Sequence, residues 1–374
     1  MYGGDETNAN LNRNETTLNW ANIQSALPKW SLFSVVGATT AHSDVLGTAD
    51  GTAFMTTDPF APGPIKLWAV NPTTSLLWSL DSQFDSYHPA VGGNHLYVNK
   101  PNNAGIVAVD TQTGSPFGVG NGFLAGSNGH AAFPVVANGT IYYQASDSGV
   151  IYAVSTSGGL KWSVPTNHAD LTVRVSVGGG HVYAIAEITH GMKYTLLALN
   201  PTTGKVDWSR DIAASAIGHP VYANGSVYVN YTAIGSVYGQ IWRYDASTGI
   251  PQVSTSVRNY VISSIGNGTV IAIGDNNGIT FHRVLAFDAQ TLQLKWTVPL
   301  IGLAYGEGAA AMASDFVTLC DGHLHAYQLS SGNGGLFELA NLPCDNRPIV
   351  AGGKIIYHDP DRHAMTALGL GNGR

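Results

Sequence analysis

Four residues of this chain, His88, Arg174, His219 and Arg347, stand at equivalent points of a recurring stretch. It reads His88-Pro-Ala-Val-Gly-Gly, Arg174-Val-Ser-Val-Gly-Gly, His219-Pro-Val-Tyr-Ala-Asn-Gly and Arg347-Pro-Ile-Val-Ala-Gly-Gly at these four, Phe133-Pro-Val-Val-Ala-Asn-Gly is a further copy, and Val45 (or Asp44), Ile262 and Gly308 complete the eight equivalent points. Guanidinium is always charged and presents a fork of donors, so Arg174 and Arg347 suit a carboxylate, phenolate or enolate oxygen. Imidazole titrates nearest neutrality, so His88 or His219 suits proton movement. His42, Tyr260, Tyr305, Glu307, Asp345 and Asn346 lie in or near the preceding segments and, with Phe133, complete a candidate substrate-binding set. A plainer alternative stays open. The His-Pro pairs can be strand-entry punctuation with imidazoles on backbone carbonyls, and each Arg can pair with an acid such as Glu307 or Asp345.

Other chemistry is less well provided for. His323-Leu-His325 would put two imidazoles on one face of a strand, and His358-Asp-Pro-Asp-Arg-His363 could add ligands. Alternating His and Asp are common in loops without metal, and no metal is expected. No zinc-finger spacing, phosphate-binding loop, nucleophile elbow or dinucleotide-binding glycine run is present.

The elements that must position these residues repeat with the same period. Asn200-Pro-Thr-Thr-Gly-Lys-Val-Asp-Trp208 recurs in worn copies about every 42 residues, centred on Asn71, Asp110, Ser155, Asn200, Asp245, Asp288, Gln328 and Leu368. Each copy is an apolar strand, an Asx-type turn closed by Gly, and a strand ending on a large residue: Trp78, Trp162, Trp208 or Trp296, with Phe337 a stand-in. The stretches beginning at His88, Phe133, His219 and Arg347 read as two further short strands around a Gly hairpin. Four strands per unit make a propeller blade. Seven blades are complete in the sequence. The eighth lacks its outer strand, and Leu27-Pro-Lys-Trp30-Ser-Leu32 is a spare copy of one. The expectation is an all-β, eight-bladed β-propeller forming one domain over residues 1–374. Residues 1–26 would pack on the ring as an N-terminal extension, and 27–32 would close it as the last blade's outer strand.

The Trp-terminated repeats and the opening Tyr2-Gly-Gly-Asp5 and Asn12-Arg-Asn-Glu-Thr-Thr-Leu18 resemble the quinoprotein alcohol-dehydrogenase-like (PQQ-repeat) superfamily, over essentially the whole chain. That resemblance implies that Trp30, Trp78, Trp162, Trp208 and Trp296 dock one blade on the next. It implies little about activity, because propellers host unrelated chemistries. Dehydrogenases of the superfamily hold pyrroloquinoline quinone with a ring of adjacent cysteines and a calcium ion. This chain has no adjacent cysteines, and the expected cofactor is none.

The net charge of -7 argues against a nucleic-acid partner, and no apolar run is long enough to span a bilayer. Cys320 would end the second strand of blade seven and Cys344 would lie in the connection entering blade eight, places that share one face of a propeller, so a disulfide is expected, with two unpaired thiols as the alternative. The bridge would imply an oxidising compartment. Sequons at Asn14, Asn138, Asn224, Asn230 and Asn267 fit a secreted glycoprotein, although Asn-Gly is also a good hairpin turn.

The leading expectation is a secreted, cofactor-independent enzyme of lyase, isomerase or pericyclase type acting on a small oxygen-rich substrate. Secreted propeller proteins that steer hetero-Diels–Alder additions in natural-product pathways are a looser resemblance, carried by no aligned motif. A protein- or glycan-binding scaffold, similar to the barrel-assembly lipoprotein of the same superfamily, and a quinone-dependent dehydrogenase are the alternatives.

Overall fold

Apolar strands separated by Gly, Asn and Asp turns fold here as antiparallel meanders of four short strands. The computed structural model describes residues 11–12, 15–23, 25–33, 45–47, 52–56, 66–71, 76–81, 85–99, 105–117, 133–145, 148–166, 174–189, 192–236, 238–257, 260–275, 282–300, 310–331, 337–344, 348–362 and 364–370. In chain order the first strands of the meanders are Val45–Gly47, Asp85–Gly92, Val135–Ala137, Ser176–Gly178, Val221–Ala223, Tyr260–Gly266, Ala310–Ala313 and Ile349–Ala351. The fourth and fifth meanders join edge to edge. The strand Val206–Ile217 pairs with Lys193–Leu199 and, beyond it, with Ser226–Ala233. The eighth takes its fourth strand from the other end of the chain: Leu27–Phe33 runs antiparallel to Ala364–Gly369, with Leu27 opposite Gly369 and Phe33 opposite Ala364.

The chain divides into two compact units. One is Gln83–Asn259, holding the second to fifth meanders; the other is Asn10–Ser82 with Tyr260–Arg374, holding the rest.

Burial falls from the second strand outward. Thr140–Gln144 and Phe316–Cys320 are buried at every position, whereas in the outermost strand Leu160–Val164 only Trp162 is. The tryptophans anchor these outer strands. Trp162 Nε1 donates to Pro201 O in the next meander at 2.9 Å, Trp208 to Ala246 O at 3.0 Å, and Trp296 to Leu329 O at 3.1 Å. Tyr142 and Tyr183 send their hydroxyls to the same Pro201 and Ala246 carbonyls. Trp78 is buried against Phe54, while the side chain of Trp30 lies outside the described residues.

In the neighbouring strand an alanine stands in register with each Trp position. Ala69, Ala153, Ala198 and Ala286 stand opposite Trp78, Trp162, Trp208 and Trp296, and Ala367 stands opposite Trp30. The turn before the outer strand is equally constrained. Asp110, Asn200, Asp245 and Asp288 each accept two backbone N–H groups through Oδ1, from the residues two and three places on. Gly249, at φ 66, closes one such turn where an added Cβ would stand 2.5 Å from the Trp208 ring.

Asn138, Asn224 and Asn267 each precede a Gly, and both residues of each pair have positive φ, the type I′ geometry that Asn-Gly favours. Asn230 lies in the strand Ser226–Ala233, and Asn14 is outside the described residues.

The N-terminal segment is tied to the seventh and eighth meanders. Leu11–Asn12 runs parallel to Ala310–Ala313, and Glu15 accepts N–H groups from Thr17, Leu18 and Gly353 at 2.8 to 2.9 Å. Leu18 and Ile23 bury fully in a cluster with Cys320, Cys344 and Tyr357. The two cysteines are bonded, with Cα atoms 5.5 Å apart. Cys344 ends the strand Phe337–Cys344 and does not sit in a connection. Linking positions 24 apart in sequence stabilises the fold by roughly 3 kcal/mol in the chain-entropy account.

Candidate functional site

The first strands of the third, fourth and fifth meanders begin alike. Phe133, Arg174 and His219 each stand two residues ahead of the strand, at Val135, Ser176 and Val221, and the structure brings the three together. The Arg174 guanidinium carbon lies 4.3 Å from the centre of the Phe133 ring. The backbone N–H of Arg174 donates to His219 Nδ1 at 3.0 Å, and the His219 ring sits 5.6 Å from Phe133, tilted by 54°. Arg174 is 5 % exposed and His219 half-buried. A guanidinium withdrawn this far from water is costly, and a ring face against it is one compensating contact.

The same row ties the sheets together. Tyr222 N–H donates to Ser176 Oγ, as Ala310 N–H does to Ser263 Oγ in the other unit. The Arg174–His219 bond therefore belongs to a series of links between successive first strands. At its Nδ1, His219 accepts from an amide.

His88 lies on the strand Asp85–Gly92, with its side chain outside the described residues. Tyr260 opens the sixth meander, buried, opposite Gly274. His42, Tyr305, Glu307, Asp345, Asn346 and Arg347 all lie outside the described residues.

Sequence reasoning missed Gln144. It ends the second strand of the third meander, 1 % exposed, and its Nε2 donates to Gly149 O at 3.3 Å and to Ile185 O of the fourth meander at 3.2 Å. The signal was available, because Asn99, Gln144, Glu187 and Asp359 are all buried polar residues at the close of an apolar second strand.

His325 is buried against the carboxylate of Asp321 and stacks on Tyr327, with ring centroids 6.1 Å apart, while His323 is exposed. His358 is also buried, and His363 is outside the described residues. Among the described residues no three of His, Cys, Asp or Glu gather closely enough to hold a metal ion.

The family model described as outer membrane protein assembly factor BamB matches residues 66–228, 149–252 and 193–341. No curated protein matches the chain. Among solved structures it is similar to BamB from Moraxella catarrhalis, with a TM-score of 0.62 at 15% identity, covering 92% of this chain and 99% of that one. It is also similar to the quinohemoprotein alcohol dehydrogenase of Comamonas testosteroni, with a TM-score of 0.63 at 14% identity, covering 100% and 80%. The corresponding enzyme of Pseudomonas putida HK5 gives 0.67 at 12%, with the same coverage. At such identities the likeness is one of fold: all-β and propeller-like.

Proposed function

The chain belongs to the PQQ-repeat family described as outer membrane protein assembly factor BamB, and within that family we propose that it is a small-molecule propeller whose site is anchored by Phe133, Arg174 and His219. The observation that carries this is the guanidinium of Arg174, almost fully withdrawn from water and packed on the Phe133 ring face, while the backbone N–H of the same residue bonds to the His219 imidazole. Perturbed polar groups converging beside an aromatic wall are the usual mark of a ligand site.

The substrate is oxygen-rich, and the reaction is a lyase or isomerase type in which Arg174 steadies negative charge developing on oxygen. His88, at the equivalent point of the second meander, is read as part of the same site. The meanders are read as eight blades of one ring, with Leu27–Phe33 closing the last, and the disulfide supports a secreted location. No helix among the described residues is long and apolar enough to cross a membrane.

The quinone chemistry of related dehydrogenases does not fit these residues. The adjacent cysteine pair that the resemblance implies has no counterpart, since Cys320 and Cys344 are 24 apart and bonded to each other.

Conversion by wild-type protein of a panel of enolisable and phenolic acids, followed by mass spectrometry, tests the reading. Arg174→Ala is expected to melt as the wild type does while losing turnover on the order of 100-fold. A lowered melting temperature with activity per folded molecule retained would give Arg174 a structural role only. The family match favours one second reading, a protein-binding scaffold, which predicts no conversion at all and tight capture of a protein partner.

A further inference from the structure

We propose that residues 15–26 form a strap whose lifting gates reduction of the Cys320–Cys344 disulfide, so that a dithiol reaches the bond only in a locally opened state. The bond joins the end of Phe316–Cys320 to the end of Phe337–Cys344, around the bend at Asp321 and Gly322 that leads into the strand between them. Cys344 is fully buried and Cys320 nearly so. Leu18 and Ile23 are fully buried in the same cluster as both cysteines, and Trp20 and Ala26 pack against it. Strap, cluster and bond all belong to one compact unit.

A small number of hydrogen bonds ties the strap to the two meanders it contacts. Glu15, itself buried, accepts from Thr17 and Leu18 through Oε1, and from Gly353 of the eighth meander through Oε2 at 2.8 Å. Trp20 N–H donates to Asp315 Oδ1 of the seventh meander at 2.7 Å. The strands beneath are held instead by complete antiparallel ladders. A segment fixed by two buried apolar side chains and a few polar bonds opens at a lower free energy than the sheets it rests on.

Reduction is a thiol–disulfide exchange. One thiolate of the dithiol bonds to one cysteine sulfur while the other cysteine leaves as thiolate, and the second thiolate of the dithiol then displaces the remaining cysteine. The protein gains two electrons and two protons, and the dithiol closes to its own disulfide. Each attack depends on access to sulfur, which burial with Leu18 and Ile23 withholds. The observed rate is therefore the intrinsic exchange rate multiplied by the fraction of molecules with the strap lifted.

The experiment treats the oxidised full chain with excess dithiothreitol under native conditions, with timed samples alkylated and read by mass spectrometry. Wild type is expected to react far more slowly than oxidised glutathione. Leu18→Ala, which removes a buried leucine from the strap, is expected to speed reduction by about 30-fold or more. Glu15→Gln, with one acceptor oxygen fewer, is expected to speed it roughly tenfold and decides the matter if Leu18→Ala does not fold. Ala286→Leu, opposite Trp296 in the sixth meander of the same unit, lowers stability away from the strap and is expected to leave the rate within about twofold. Hydrogen exchange at the Gly353 amide, which donates to Glu15, should accelerate by the same factor as reduction in the strap variants. A wild-type bond as reactive as oxidised glutathione, or one that neither strap variant accelerates, overturns the proposal. Acceleration by Ala286→Leu in proportion to its lost stability also overturns it, since attack would then run through global unfolding.

Discussion

Gly249 and Gly225 show how much one missing side chain can decide. Both have positive φ, 66 and 77, but a Cβ on Gly249 would stand 2.5 Å from the Trp208 ring while one on Gly225 would meet nothing within 4 Å. Gly225→Ala is expected to lose about 1 kcal/mol from backbone conformation alone. Gly249→Ala adds overpacking against the indole and is expected to lose roughly 2 to 4 kcal/mol in urea denaturation. Equal losses would remove the indole from the explanation.

The carboxylates of the same turns carry a pH signature. Backbone and side-chain hydrogen bonds from Thr113 hold Asp110 below its ordinary range; the hydroxyls of Ser247 and Thr248 lead at Asp245, and Thr291 does so at Asp288. A lowered folded-state pKa gives stability that is present above the unfolded value, near 4, and lost as pH falls through the folded one. Asn200 makes the same backbone bonds with an amide. The triple variant Asp110→Asn, Asp245→Asn, Asp288→Asn should therefore keep its fold and lose less stability than wild type between pH 6 and pH 3, as thermal melts will show. Identical acid slopes would place the acid sensitivity elsewhere.

At the scale of the strand, the recurring unit is an alanine facing an aromatic ring. Ala198 stands opposite Trp208, and Ala198→Leu is expected to cost roughly 1 to 3 kcal/mol by overpacking, measured by chemical denaturation. A neutral result would mean that the ring does not need the space. The rule also shows what was legible beforehand. The Trp-bearing strands, their turns and the spare strand near Trp30 stood out because indole and Asx-Thr-Gly leave a strong imprint on sequence. Phe117 did not, since a phenylalanine after Ser-Pro carries no such imprint, yet it faces Ala108 as the tryptophans face their alanines. The backbone register also sets Ala326 opposite Phe337, the position the repeat predicts for that residue. The grouping of Phe133, Arg174 and His219 was legible as an alignment. The bond from the Arg174 amide to His219 Nδ1 was not, because it joins a backbone group and a ring from two different meanders. For Gln144 the polar residue closing an apolar strand was legible but its partners were not, as they lie in the loop beyond its own strand and in the next sheet.

At the scale of the whole chain, the pairing of Leu27–Phe33 with Ala364–Gly369 ties early sequence to late. Removing residues 1–26 takes away the Glu15 and Leu18 contacts but leaves this strand; removing 1–33 takes the strand as well. The shorter deletion is expected to melt cooperatively at a lower temperature. The longer one is expected to lose the cooperative transition and aggregate through an uncovered strand edge, which calorimetry and size-exclusion chromatography will report. An unchanged transition after the longer deletion would show the strand to be dispensable. The same pairing sets a clock on biosynthesis. Roughly 330 residues must be translated after Phe33 before Ala364 exists to receive it, and at about 5 to 20 residues per second that is on the order of 20 to 70 s. Throughout that interval the nascent chain carries an apolar strand without its mate. Its exposure to ribosome-associated chaperones, and its chance of pairing with a neighbouring polysome's copy, are consequences of chain order that the finished molecule no longer displays.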